Sequence, residues 1–108
     1  MEAIPRRVRN YLTADSRSPF QDWIRGLGDG SGKAKIRIRL DRLADGNFGK
    51  HRVLGGGLIE MKIDFGPGYR VYCGEDGATD IILLWGGDKS TQDADIKKAK
   101  RFWSDYNA

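Results

Sequence analysis

Two cations and a phenol stand close together in the stretch from Leu58 to Gln92, LIEMKIDFGPGYRVYCGEDGATDIILLWGGDKSTQ. Lys62, Arg70 and Tyr72 are the side chains in question, and their types suit work on a phosphate. A planar guanidinium can clamp two phosphate oxygens. A lysine adds a point charge, or takes up a proton where neighbouring cations favour its neutral form. Metal-free cleavage of RNA needs both services. The ribose 2′-oxygen must lose its proton to attack the adjacent phosphate, and the pentavalent phosphorane must be neutralised. The same residues also fit a solvated, salt-bridged hairpin face, which adds little to stability.

Strand periodicity is what would bring these side chains together. Ile59, Met61, Ile63 and Phe65 alternate with Glu60, Lys62 and Asp64, the pattern of a strand with one apolar face. Gly66-Pro67-Gly68 reads as a three-residue turn. That turn predicts Phe65 opposite Tyr69, Ile63 opposite Val71 and Met61 opposite Cys73 on the apolar side. On the other side it predicts Asp64 opposite Arg70, where the carboxylate would orient the guanidinium, and Lys62 opposite Tyr72.

The remaining elements read as follows. Arg7 to Thr13 alternates as a first strand. Ser18-Pro19 opens a helix with Phe20, Trp23, Ile24 and Leu27 as its apolar stripe, and the run Gly26 to Gly32 ends it. A second helix, about Ser31 to Ala44, buries Ile36, Leu40 and Leu43. Its other faces carry Lys33, Lys35, Arg37, Arg39 and Arg42 against a lone Asp41, a surface expected to meet RNA phosphate. Gly49 to Gly57 reads as a loop. Ile81 to Trp85 is apolar on both faces, which predicts an interior strand covered at least in part on both sides. Ser90 caps a last helix with Asp93 at the capping-box position, and Ile96, Ala99, Trp103 and Tyr106 form its buried stripe. The expected architecture is one α+β domain over residues 1–108, with helices on one face of a mainly antiparallel sheet and the other face open.

Composition narrows the partners. In 108 residues, Lys and Arg total 19 against 15 acidic residues, a modest basic excess that favours nucleic acid. One cysteine, Cys73, and one histidine, His51, exclude an intramolecular disulfide, a structural zinc site and a two-histidine ribonuclease mechanism. No metal or cofactor is expected. Gly30-Ser31-Gly32-Lys33 is not a phosphate-binding loop, because Leu27 and Ala34 occupy positions that need Gly and Ser or Thr. MEAIPRRVRNYL lacks the apolar core of a leader, and no apolar run is long enough to cross a membrane. A cytoplasmic protein is expected.

At GNFGKHRVLGGGLIEMKIDFGPGYRVYCG and LLWGGDKSTQDADIKKAKRFW the chain resembles the addiction-module killer proteins, the HigB-like branch of the RelE toxin superfamily. The resemblance runs from about Arg37 to Trp103. It rests on the combination of GNFG, an EMKID strand, GPGYRVY and GGDKSTQ followed by DIKKAK. It implies a RelE-like fold and a toxin that cleaves mRNA, commonly on the ribosome, restrained by a co-encoded helix-turn-helix antitoxin. It also implies a catalytic lysine at Lys62, a phosphate-binding arginine at Arg70 and a further basic residue at Lys89. Glu60 stands where some relatives have another lysine, and Asp95 or Ile96 falls where a C-terminal Tyr or His serves as acid or base. Three functions are compatible with the residues: an endoribonuclease toxin, a non-catalytic RNA- or ribosome-binding inhibitor, and a decayed toxin kept as an antitoxin partner.

Overall fold

The sheet is organised around the apolar run Ile81–Trp85. In a computed structural model that describes residues 4–108, this run forms the middle of β5 (Asp80–Asp88). Met1–Ala3, the start of the segment read for a leader, lie outside the described residues. β5 is flanked by β1 (Arg7–Asn10) and β4 (Tyr69–Asp76), with β3 (Leu58–Ile63) and β2 (His51–Gly55) beyond, in the order β1-β5-β4-β3-β2. Every pairing is antiparallel except β1 with β5. With helices α1 (Pro19–Gly26), α2 (Gly30–Ala44) and α3 (Gln92–Tyr106), the architecture is α+β, as the sequence predicts.

Both faces of the sheet are covered, and here the structure departs from the expected open face. On one face Ile59, Met61, Ile63, Val71, Cys73, Ile81 and Leu83 meet Phe20, Ile24, Ile36 and Leu43 of α1 and α2. On the other, Leu58, Tyr72, Ile82 and Leu84 meet Ala99 and Trp103 of α3, with Tyr11 completing the cluster. The second cluster follows from strands that are apolar at odd and even positions alike; such strands need a layer on each side.

Glycine seats let the two helical tryptophans lie against the sheet. A Cβ on Gly74 would come within 2.4 Å of the Trp103 ring, and one on Gly86 within 2.2 Å of the Trp23 ring. A register shift in β5 opposite Tyr72/Cys73 places the extra residue Leu84 beside Trp85, and it aims Gly86 at α1 and Gly87 at α3.

Three local expectations are revised. The loop from Gly49 to Gly57 contains β2, which pairs His51 with Met61 and Arg52 with Glu60; an edge strand needs little apolar character, and Val53 stays exposed. The first strand ends at Asn10, although the Tyr11 amide still donates to the Leu83 carbonyl at 3.0 Å. Asp88, not Ser90, caps the turn before α3, its carboxylate accepting from the Ser90 amide at 2.8 Å. The α1 start is as expected, with Ser18 Oγ accepting from the Gln21 amide at 3.1 Å.

Two buried tyrosines tie helices to the sheet. Asp29 caps α2 by accepting from the Gly32 amide at 3.0 Å and accepts also from Tyr69 Oη at 2.8 Å. Tyr11 Oη donates to Asp105 at 2.6 Å.

Gly86→Ala and Gly74→Ala should each destabilise the fold by about 1–3 kcal/mol through overpacking, read as a lower urea midpoint at unchanged slope. Burial, followed by donation to a carboxylate, pushes both Tyr69 and Tyr11 up to about 12 from 10.0. Stability should therefore hold below pH 10 and fall as pH rises toward about 12, because the unfolded chain ionises first. Tyr69→Phe should reduce that fall in denaturation curves taken across the range; an unchanged curve would separate Tyr69 from it.

Candidate functional site

The hairpin of β3 and β4 sets the site. Its connection runs from Asp64 to Gly68, with the Phe65 amide on the Ile63 carbonyl at 2.9 Å and the Gly68 amide on the Phe65 carbonyl at 3.0 Å. Gly66 and Gly68 take positive φ, which the tight connection requires. The register therefore differs by two residues from the expected one. Lys62 lies opposite Arg70 and Glu60 opposite Tyr72. An even shift leaves each side chain on its expected face but changes its partner. Asp64 is outside the ladder and pairs with Lys50 at 2.8 Å, not with Arg70. The Lys50 ammonium, with Arg70 and Lys62 further off, holds the Asp64 carboxyl below the usual range.

Arg70 is buried, at 8% exposure, rather than lying on an open face. Its Nη1 donates to the Gly68 carbonyl at 3.0 Å, and its buried Nε has no partner. No carboxylate pairs with it among the described residues. Lys89 follows β5 at the same end of the sheet: a Cβ on Gly68 would lie 3.3 Å from Arg70 Nη1 and 3.6 Å from Lys89 Cβ. Lys62 is half-buried and Lys89 exposed. The three cations expected to form the site are thus gathered at one end of one face.

Tyr72 is fully buried, so it cannot contact RNA from an open surface as expected. Its hydroxyl donates to Glu60 Oε2 at 3.0 Å, and Gln92 Nε2 donates to the same oxygen at 3.0 Å. Arg52 Nη2 lies 3.2 Å from Glu60 Oε1. Burial, then the Glu60 charge, pushes the Tyr72 phenol well up, which keeps it a proton donor. Glu60, wholly buried, is the centre of this cluster, and sequence reasoning missed the roles of Glu60, Gln92 and Arg52. Its alternation onto the Lys62 face was legible; its partners depended on the register and on where α3 docks. Asp95, which with Ile96 was expected near a C-terminal acid/base position, accepts from Trp85 Nε1 at 2.9 Å and Thr91 Oγ1 at 2.5 Å, fixing α3 on the sheet.

The basic helix divides. Lys35, Arg37 and Arg42 are exposed, and Lys33 reaches back to the Arg25 carbonyl at 3.4 Å. Arg39 is not a free surface cation. Its Nη1 donates to the Lys62 carbonyl at 2.5 Å, and its Nη2 donates to the carbonyls of Phe48 and Lys50 at 2.8 and 2.9 Å. It fastens α2 to the backbone beside the site. His51 is exposed on the edge strand, with Nδ1 2.7 Å from the Gly49 carbonyl. Among the described residues, no group of three His, Cys, Asp or Glu is placed to hold a metal, and no helix is long and apolar enough to cross a membrane.

No family model matches this sequence. The chain is 49% identical over 94 residues to an uncharacterized protein of Haemophilus influenzae, a match covering 87% of this chain and 89% of that protein. The chain belongs to the family of that protein.

Glu60→Ala would leave the Tyr72 hydroxyl and the Gln92 amide without their shared acceptor. It should cost about 2–3 kcal/mol in urea unfolding, and Glu60→Gln, which keeps an acceptor oxygen, distinctly less. Equal costs for the two would show that the carboxyl oxygen is not what the cluster needs.

Proposed function

We propose that this chain is a metal-independent endoribonuclease of RelE-like fold, acting in the cytoplasm as a toxin on mRNA engaged by the ribosome. The observation that supports it most is the buried Arg70 guanidinium, without a carboxylate and directly across the ladder from Lys62. A buried, unpaired cation is costly, and like charges opposite one another in a sheet destabilise it further. Arg6, Arg7, Arg9, Arg17 and Arg52 all have carboxylate partners. Arg70 is set apart from them, as a residue is when its counter-charge comes from a ligand. A scissile phosphate supplies that charge.

In the proposed reaction Arg70 and Lys89 neutralise the phosphorane while the 2′-oxygen forms its bond to phosphorus. Lys62, across the ladder from Arg70, is the group placed to take the 2′-hydroxyl proton. The bond to the 5′-oxygen breaks, and that oxygen is protonated from water or from a group on the substrate complex. The products are a 2′,3′-cyclic phosphate and a 5′-hydroxyl end. Glu60 and Tyr72 hold β3 and β4 in the register that sets Lys62 beside Arg70.

A second reading, a non-catalytic RNA- or ribosome-binding inhibitor, is favoured by one observation. Glu60, Tyr72 and Asp95 are all committed to hydrogen bonds within the protein, and no imidazole is at the site. A decayed toxin retained as an antitoxin partner would lack cleavage as well. Under the first reading the unpaired cations need restraint in a growing cell, and a co-encoded helix-turn-helix antitoxin with an acidic segment would supply it by charge complementarity.

Induced expression with mapping of RNA 5′ ends separates these readings: new ends support cleavage, whereas arrest without them supports the inhibitor. Arg70→Ala should lower cleavage by roughly a hundredfold or more, the scale of losing one transition-state donor. Full activity in that variant at equal expression would remove Arg70 from the mechanism.

A further inference from the structure

A second group of cations lies around the hairpin turn from Arg70. A cavity of about 270 Å³ opens between α2 and the β3–β4 connection, lined by Lys35, Ile38, Arg39, Arg42, Ile63, Asp64 and Phe65. That volume is just under the range of about 300–1,000 Å³ usual for small-ligand sites, so it suits one compact unit. The lining is of two kinds. Ile38, Ile63 and Phe65 form an apolar and aromatic wall, and Ile38 is 46% exposed although it is a large aliphatic side chain. Lys35, Arg39 and Arg42 supply positive charge.

That charge is poorly compensated. Neither Lys35 nor Arg42 makes an ion pair among the described residues. Arg39 spends its donors on neutral carbonyls, and its buried Nε has no partner. The one acidic side chain in the lining, Asp64, is already paired with Lys50. Lys35 Nζ stands 5.6 Å from the centre of the Phe65 ring, so a cation and an aromatic face are presented together. A nucleotide carries the matching pair of features, a flat π-face and an anionic phosphate. An acidic peptide would match the charge but leave the apolar wall without a partner.

Position connects the cavity to the proposed active face. Ile63 and Asp64 follow Lys62 directly, and the Lys62 carbonyl is the one held by Arg39. We infer that this cavity is a nucleotide subsite for the same RNA strand. The base of a nucleotide flanking the scissile phosphate lies on Ile38, Ile63 and Phe65, and its phosphate lies on Lys35 and Arg42. The inference rests on RNA being the substrate, but its test reads binding and not cleavage.

The test is titration of the full chain with a 2′-O-methyl tetranucleotide, which lacks the attacking hydroxyl, followed by NMR and calorimetry. The amide signals of Lys35, Ile38, Arg42 and Phe65 should shift. Lys35→Ala combined with Arg42→Ala should weaken binding about tenfold or more, the scale of one charge-assisted hydrogen bond. Both residues are exposed on α2, so the fold should be kept. Ile38→Ala should also weaken the tetranucleotide while leaving inorganic phosphate unaffected, which a bare anion site would not show. Shifts confined to Lys62, Arg70 and Lys89 would overturn the inference. So would equal affinity for inorganic phosphate, or displacement by an acidic peptide at comparable concentration, which would mark the cavity as a protein-docking site. Binding at the cavity with no cleavage by the wild-type protein would sink the nuclease reading and leave the subsite standing.

Discussion

The pairing of β3 with β4 is the constraint on which the site depends. Glycines at both ends of the apex, Gly66 and Gly68, take positive φ, and the connection from Asp64 to Gly68 sets Ile63 against Tyr69. All other pairs follow. Lys62 meets Arg70, which concentrates positive charge, and Glu60 meets Tyr72, which buries a carboxylate. A tighter turn would have put Asp64 beside Arg70 and neutralised it. The turn therefore decides whether the arginine has a carboxylate partner across the ladder. Its cost is held down by Asp64 turning outward to Lys50 and by Arg39, which ties the Lys62 carbonyl to α2.

Layering adds a second constraint. Because Ile82, Leu84, Tyr72 and Leu58 are apolar on the face opposite the main core, α3 must cover them. Its docking carries Gln92 to Glu60 and Asp95 to Trp85. The cover is partial: it reaches Tyr72 and stops short of Lys62, which stays half-buried beside the exposed Lys89. The polar end of this face is left where the apolar side chains run out, and the cations occupy that end. Gly74 and Gly86 complete the arrangement by letting one tryptophan lie flat on each side of the sheet.

Much of this was legible in the sequence, and the failures have physical causes. Period-two alternation assigned Glu60, Lys62, Arg70 and Tyr72 to one face correctly, since a face depends only on parity. Their partners depended on loop length, which Gly66-Pro67-Gly68 does not specify alone. Burial of Tyr72 was not visible because it is imposed by α3, whose docking side was read from its stripe but not from the second apolar set on the strands. β2 was missed because an edge strand, with Val53 exposed, lacks the apolar signature that marks buried strands. Arg39 looked like one more surface cation. Only the three carbonyls converging on it, from residues distant in sequence, show that it is part of the frame.

Charge pairing divides the arginines of this chain. The arginines that hold the fold together meet carboxylates: Arg6 with Glu75, Arg7 and Arg9 with Asp80, Arg52 with Glu60. Where a folded protein buries a cation it normally provides the counter-charge, since an unpaired one costs several kcal/mol, roughly, even after relaxation. Arg70 departs from this rule; Arg39, only half-buried, also makes no ion pair and reaches the same hairpin from α2. Their carbonyl acceptors satisfy donors but leave the charge. A chain that pairs Arg6, Arg7, Arg9 and Arg52 with carboxylates and leaves the buried Arg70 without one gives up stability at one end of the sheet. Such a loss is sustainable when an external anion offsets it on binding. Under the proposed function that anion is the RNA phosphate at Arg70.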